Sequence, residues 1–289
     1  MKEISKMKEK TSFKWNDDQT VYLDAYLGDK TKKKQALIIL PGGGYNTCAP
    51  FEAEPVALKF ESHNFACFVL HYSVRYLSLE DFKANKDPNP HTLFPEPLLE
   101  VASAIKFVKE NADEFNIDKE HVSIIGFSAG GHLAANYSNL YADKELFSKI
   151  SLDINLLKPF SVILGYAASE LTEDEMILPT IFGKRDSYPF ELRKKYSAKE
   201  NVNENTCPTF LFHSATDGMV KAKESLELAL ELAKHHIPYE VHVFGSGGHA
   251  YGVKDYQPYS KWVILAIGFI NGLINNREKY EKLEFIEPF

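Results

Sequence analysis

The sequence predicts an α/β fold with a mostly parallel central sheet and helices on both faces. Three observations point there. Compact apolar runs of strand length alternate with segments of helical periodicity along most of the chain, and in such an alternation the crossovers cover both faces of a parallel sheet. Two of the apolar runs open directly into glycine turns, Pro41-Gly42-Gly43-Gly44 and Gly126-Phe127-Ser128-Ala129-Gly130. The chain's 289 residues also suffice for one domain with a full core.

In chain order, residues 21–27 alternate sides as a strand does and end in a turn at Gly28-Asp29. The basic run Lys32-Lys33-Lys34 then reads as a charged hairpin turn. Residues 35–40 form a buried strand feeding the first glycine loop, 52–62 a helix, and 65–72 a second buried strand. Pro88, Pro90, Pro95 and Pro97 prevent any regular element from running through 73–97. A helix follows over 98–115, where Leu98, Val101, Ala102, Ile105 and Val108 recur at helical spacing. Strand 121–127 leads into helix 128–141, and strands 160–164 and 209–213 flank a polar stretch. An amphipathic helix over 221–235, a strand over 239–244 and a buried helix over 262–273 complete the pattern. A single domain spanning 1–289 is expected, with 73–97 and 166–205 as lid insertions.

Composition narrows the function classes. The formal charge is −7 and the basic residues are dispersed, whereas a nucleic-acid footprint concentrates them on one surface. The longest apolar stretch, 262–273, falls well short of the roughly 20 residues that span a bilayer. Residues 1–10 are charged and lack an apolar leader core. Cys48, Cys67 and Cys207 are far apart and odd in number, with no CxxC pair, so no disulfide framework is expected. These features favour a cytoplasmic protein without nucleic-acid or membrane partners. No HExxH, CxxC or aspartate-rich calcium loop occurs, so neither a metal nor a cofactor is expected. Self-association is left open.

The chemistry concentrates at Ser128. It lies between the strand ending Val122-Ser123-Ile124-Ile125 and a helix beginning Ala129-Gly130-Gly131, the context of a nucleophile elbow. The sharp turn requires small residues at Gly126 and Gly130, and it sets the serine oxygen at a helix N-terminus that favours developing negative charge. The bland alternative is a serine N-cap after a glycine turn. In the loop Pro41-Gly42-Gly43-Gly44-Tyr45, consecutive glycines can turn their N–H groups inward. The oxyanion donors are therefore expected from Ala129 and from Gly43 or Gly44.

A serine nucleophile needs a base and a carboxylate to orient it. In the order serine, acid, histidine, Asp217 follows strand 209–213 by a short loop. His249 follows strand 239–244 through Gly245-Ser246-Gly247-Gly248. Asp153 and Asp174 are weaker rivals for the acid. Of the ten histidines, His63, His71, His91 and His121 precede the serine, His132 rides the elbow helix, and His213 and His242 belong to strands.

With those residues in view, the chain resembles the α/β-hydrolase esterases of the acetyl-esterase and acetylxylan-esterase-like group. The resemblance rests on Leu40-Pro41-Gly42-Gly43-Gly44-Tyr45, on Gly126-Phe127-Ser128-Ala129-Gly130-Gly131-His132-Leu133, on His213-Ser214-Ala215-Thr216-Asp217, and on Gly247-Gly248-His249-Ala250-Tyr251-Gly252. It runs from about Gln35 to the helix after His249. Two departures are Pro41-Gly42, where many relatives have His-Gly, and Thr216-Asp217-Gly218, where a second acid and Pro are common. The resemblance implies hydrolysis of a small acyl ester, an acetylated sugar among the candidates, through a serine-bound acyl-enzyme. An amidase, peptidase or formamidase using the same triad is the rival reaction, and a catalytically silent binding protein is the rival outside enzymes. Tyr45, Tyr72 and Tyr166, with Tyr76 and Phe182, lie in expected loops and are candidates to stack on a substrate; loop packing is the alternative.

Overall fold

The computed structural model describes residues 8–11, 21–89, 92–173, 176–254 and 257–275. The first half contains β1 (Lys8–Thr11), β2 (Tyr22–Tyr26), β3 (Lys34–Leu40), α1 (Glu54–Glu61), β4 (Phe65–His71), α2 (Leu79–Lys83), α3 (Glu96–Glu110), α4 (Ala112–Phe115) and β5 (Ile117–Phe127). The second contains α5 (Ser128–Leu140), α6 (Lys144–Phe147), β6 (Val162–Gly165), α7 (Leu178–Phe182), α8 (Phe190–Lys195), β7 (Thr209–Ser214), α9 (Ala222–Lys234), β8 (Tyr239–Phe244) and α10 (Trp262–Asn275).

The eight strands form one sheet in the order β1-β2-β4-β3-β5-β6-β7-β8. β2 is antiparallel to both β1 and β4, and every pairing from β4 to β8 is parallel. The expected mostly parallel α/β sheet is therefore present. Its central strands are buried on both sides because alternate side chains enter opposite cores. Ala36 and Ile38 pack into one core, on the side of α3 and α5, while Leu37 and Ile39 pack into the other with Phe60, Trp262 and Phe269.

Three expected boundaries differ. Lys32-Lys33-Lys34 is not a hairpin turn, because β4 lies between β2 and β3 in the sheet. Lys34 is buried within β3, and its ammonium donates to the Leu27 carbonyl. The helix expected over 98–115 is two, α3 and α4, divided at Asn111, whose side chain bonds back to the Phe107 carbonyl. The helix expected over 52–62 starts only at Glu54. Glu52 instead closes a separate 3₁₀ turn, Pro50–Glu52, and the non-helical backbone of Ala53 divides the two.

The parallel register brings the carboxyl ends of five strands to one edge. Leu40 pairs with Gly126, Phe127 with Gly165, Gly165 with Phe212, and Ser214 with Phe244. The loops leaving that edge carry Gly42 to Gly44, Ser128, Tyr166, Asp217 and His249. Open parallel sheets bind ligands outside such an edge.

Candidate active site

The turn from β5 into α5 depends on the two glycines that flank it. A Cβ on Gly126 would sit 2.1 Å from the Gly130 carbonyl oxygen, and one on Gly130 would sit 2.2 Å from that of Leu40. Ser128 itself has φ +51°, a left-handed conformation rare for a residue with a side chain. Strain held by surrounding structure is characteristic of functional positions.

Ser128 Oγ lies 2.8 Å from His249 Nε2, and His249 Nδ1 lies 2.7 Å from Asp217 Oδ2. An ionised carboxylate only accepts, so His249 donates through Nδ1–H, and Nε2 is left to accept the serine O–H. Asp217 Oδ1 accepts the backbone N–H groups of Met219 and Val220 at 2.9 and 3.0 Å. A second histidine reaches the same carboxylate, for His213 Nε2 lies 2.9 Å from the Val220 carbonyl and 3.2 Å from Asp217 Oδ2. Both partners accept, so Nε2 carries the proton and Nδ1 accepts from Ser225 Oγ at 2.8 Å. Burial pushes the His213 pKa down, which keeps this neutral tautomer in place. The link from His213 to Asp217 is invisible in sequence, where His213 is only a strand-end residue.

Gly43, Gly44, Ser128, Ala129 and His249 all border one cavity of about 800 Å³. Gly43 and Gly44 have φ +123° and +63°. A Cβ on Gly43 would fall 1.9 Å from the Thr47 carbonyl oxygen, so only glycine fits there. The rim is apolar: Phe51, Leu77, Leu79, Met176 and Met219 are exposed and line this cavity. Residues from both stretches expected as insertions, 73–97 and 166–205, thus contribute to its walls.

The three tyrosines expected to meet substrate do not border the cavity; all are buried and bonded inward. Tyr45 OH lies 2.7 Å from His132 Nδ1, while His132 Nε2 lies 2.8 Å from the Tyr196 carbonyl oxygen. That carbonyl can only accept, so His132 donates through Nε2–H and Tyr45 donates to Nδ1. Burial pushes the His132 pKa down to about 4. Tyr72 donates to the Pro41 carbonyl at 2.6 Å. Tyr166 donates to Glu52 Oε1 at 2.6 Å and accepts the Gly252 N–H at 3.1 Å. A buried phenol must find a partner, and here each partner belongs to the framework. Phe182 is also buried, and Tyr76 packs on Phe82 with ring centroids 5.3 Å apart. Of the rival acids, Asp153 caps a 3₁₀ turn by accepting the Asn155 N–H, and Asp174 lies outside the described residues.

Glu52 is a site residue that sequence reading missed. It is 1% exposed, and its Oε2 accepts the Gly42 N–H at 2.8 Å. Burial raises its pKa to about 7, against the opposing pull of its two hydrogen bonds. No group of three or more His, Cys, Asp or Glu side chains is placed to hold a metal among the described residues.

The BD-FAE family model matches residues 23–232, most of the chain, including the glycine loop, the Ser128 elbow and Asp217. The chain belongs to the BD-FAE family. Its fold is that of the α/β-hydrolases, as the resemblance implied. Like this BD-FAE chain in structure is an acetyl ester-xyloside bifunctional hydrolase from Caldicellulosiruptor lactoaceticus, 28% identical with a TM-score of 0.76, the match covering 92% of this chain and 96% of that one. The sugar hydrolase YeeB from Lactococcus lactis is 30% identical with a TM-score of 0.73, covering 93% and 99% respectively. Endo-1,4-beta-xylanase B of Butyrivibrio fibrisolvens is 28% identical over 243 residues. That match covers 83% of the BD-FAE chain, which spans only 36% of the xylanase's length. No helix among the described residues is long and apolar enough to cross a membrane.

Proposed function

We propose that this protein hydrolyses carboxylic esters of a small acyl group through an acyl-enzyme on Ser128. The observation that carries the reading is the hydrogen-bonded run from Ser128 through His249 to Asp217, opening on the cavity that Gly43, Gly44 and Ala129 border. His249 Nε2 takes the serine proton as Oγ bonds to the acyl carbon. The resulting oxyanion is held by the N–H of Ala129 and that of Gly43 or Gly44, at about 3 to 4 kcal/mol per donor. Collapse of the tetrahedral adduct breaks the ester C–O bond, and His249 returns the proton to the leaving alcohol. Water, deprotonated by the same imidazole, then hydrolyses the acyl-enzyme. Asp217 fixes the tautomer and stabilises the imidazolium.

An acetyl group on a sugar is the substrate we favour for the acyl and alcohol halves. It is supported by similarity to proteins named an acetyl ester-xyloside hydrolase and a sugar hydrolase. The apolar rim of Phe51, Leu77, Leu79, Met176 and Met219 favours a second reading, a short-chain carboxylesterase whose substrate turns an apolar face to the mouth. A panel of acetylated xylo-oligosaccharides, short nitrophenyl esters and aminoacyl amides separates these from an amidase or peptidase. Amides turning over faster than every ester would overturn the ester reading. A fluorophosphonate probe is expected to label the wild type and to leave Ser128→Ala unlabelled; an unlabelled wild type would mean a silent binding protein.

A further inference from the structure

We propose that Glu52 is a positioning residue, whose carboxylate locks the glycine loop to the Ser128 elbow and to the loop bearing His249. The proposal rests on the hydrolase reading of this site and adds a residue to it.

Each oxygen of Glu52 has its own donor. Oε2 takes the Gly42 N–H and Oε1 takes the Tyr166 O–H, at 2.8 and 2.6 Å. Gly42 packs directly on the elbow: a Cβ there would sit 2.8 Å from the Phe127 carbonyl oxygen and 3.0 Å from Ser128 Cβ. Holding the Gly42 N–H therefore fixes the residue directly before Gly43 and Gly44. On the other side, the Tyr166 ring meets the His249 ring edge-on, with centroids 5.0 Å apart. The Tyr166 oxygen also accepts the Gly252 N–H, and the Gly252 carbonyl accepts from Trp262 Nε1 at 3.0 Å. One buried carboxylate thus connects the glycine loop to the ring that packs on His249 and to the loop that follows it. Burying a carboxylate carries a desolvation cost that two hydrogen bonds only partly offset.

Glutamine has the same shape but the wrong donor pattern. Its oxygen can accept from Gly42, but its NH₂ then faces the Tyr166 oxygen, which already accepts from Gly252, and the phenol proton loses its acceptor. The test compares wild type with Glu52→Gln at pH 8, above the raised Glu52 pKa. Rates of 4-nitrophenyl acetate hydrolysis are normalised to sites titrated by a fluorophosphonate, and binding of a trifluoromethyl ketone is measured alongside. That ketone adds Ser128 to form a tetrahedral oxyanion and so reads the glycine loop directly.

The expected result is a kcat lower by about 10- to 100-fold, somewhat less than loss of a whole oxyanion donor, with KM within about twofold. Affinity for the trifluoromethyl ketone should fall by the same factor as kcat. A per-site kcat and ketone affinity equal to wild type, with only the Tm lowered, overturns the proposal. If Glu52→Gln does not fold, Tyr166→Phe keeps the Gly42 contact and the ring but removes the hydroxyl, and with it the bonds to Glu52 and to the Gly252 N–H. It should lower kcat in the same sense by a smaller factor, and an unchanged kcat there also overturns the proposal. A wild type that neither titrates nor turns over removes the hydrolase reading, and this proposal with it.

Discussion

Two buried carboxylates flank Ser128, and they are held in opposite ways. Asp217 Oδ1 accepts from two backbone amides and Oδ2 faces two histidines. It sits on a loop of its own, and it meets Ser128 through one histidine. Glu52 has two donors, one on the glycine loop and one at the end of β6, and it meets the site through the Gly42 backbone on one side and the Tyr166 ring against His249 on the other. A carboxylate that works through a side chain must be aimed by many partners, because the tautomer it selects depends on its orientation. One that ties neighbouring segments together needs only to join the groups it fixes.

Exchanging Asp217 for Asn tests that difference most severely. The Met219 and Val220 amides at Oδ1 would hold the new carboxamide oxygen, which leaves the NH₂ pointing at His249 Nδ1. His249 must then accept there and carry its proton on Nε2, so it can no longer take the proton of Ser128. A kcat lower by about 10⁴-fold is expected for Asp217→Asn, measured on 4-nitrophenyl acetate per folded molecule. This far exceeds the loss expected for Glu52→Gln. Comparable losses in the two variants would mean that aiming the base and holding the loop matter equally, contrary to the contrast drawn above.

His213 gives a smaller effect on the same side. Its contact with Asp217, at 3.2 Å, is the longest of those around that carboxylate, and it also bonds Val220 O and Ser225 Oγ. Replacing it with Leu strips buried partners from both, at about 1 to 3 kcal/mol each. Thermal unfolding should therefore drop by about 4 °C or more, whereas kcat should fall by only about 10-fold or less, since His249 keeps its own 2.7 Å bond to Asp217. A loss of activity as deep as in Asp217→Asn, without loss of Tm, would place His213 alongside His249 in function.

The same contrast explains what could be read from the residues alone. Ser128, Asp217 and His249 were legible because each must follow a strand, in a fixed order, and glycines mark two of the three turns. Glu52 was not, for it stands where helical periodicity begins, and only the backbone of Ala53 separates it from α1. Tyr45, Tyr72 and Tyr166 fall in loops beside the site, but sequence cannot tell which way a loop side chain turns. Two of them have positive φ, +59° at Tyr45 and +37° at Tyr166, which no residue preference foretells. The misread Lys32-Lys33-Lys34 turn has a topological cause, since nothing local reveals that β4 inserts between β2 and β3. Helices α7 and α8, of five and six residues, are too short to show a period within a polar stretch.

A third buried carboxylate, Glu100, sharpens the comparison from the side of stability. Its two oxygens accept the N–H and the hydroxyl of Ser73, so it anchors the start of the 73–97 segment. Burial pushes its pKa up to about 8. A carboxyl with a folded pKa above its unfolded value binds more protons when folded, so its contribution is complete below the ordinary carboxylate range. That contribution is lost as pH rises through about 8. Glutamine can keep both contacts here, accepting from the Ser73 N–H and donating to its hydroxyl, and it does not titrate. Glu100→Gln should therefore lose less Tm than wild type between pH 5 and 8, by about 3 °C or more, while kcat at pH 8 stays within about twofold. Parallel Tm curves would mean that Glu100 does not titrate in this interval, and a fall in kcat like that of Glu52→Gln would show that any buried carboxylate near this edge, and not one in contact with Gly42, sets the rate.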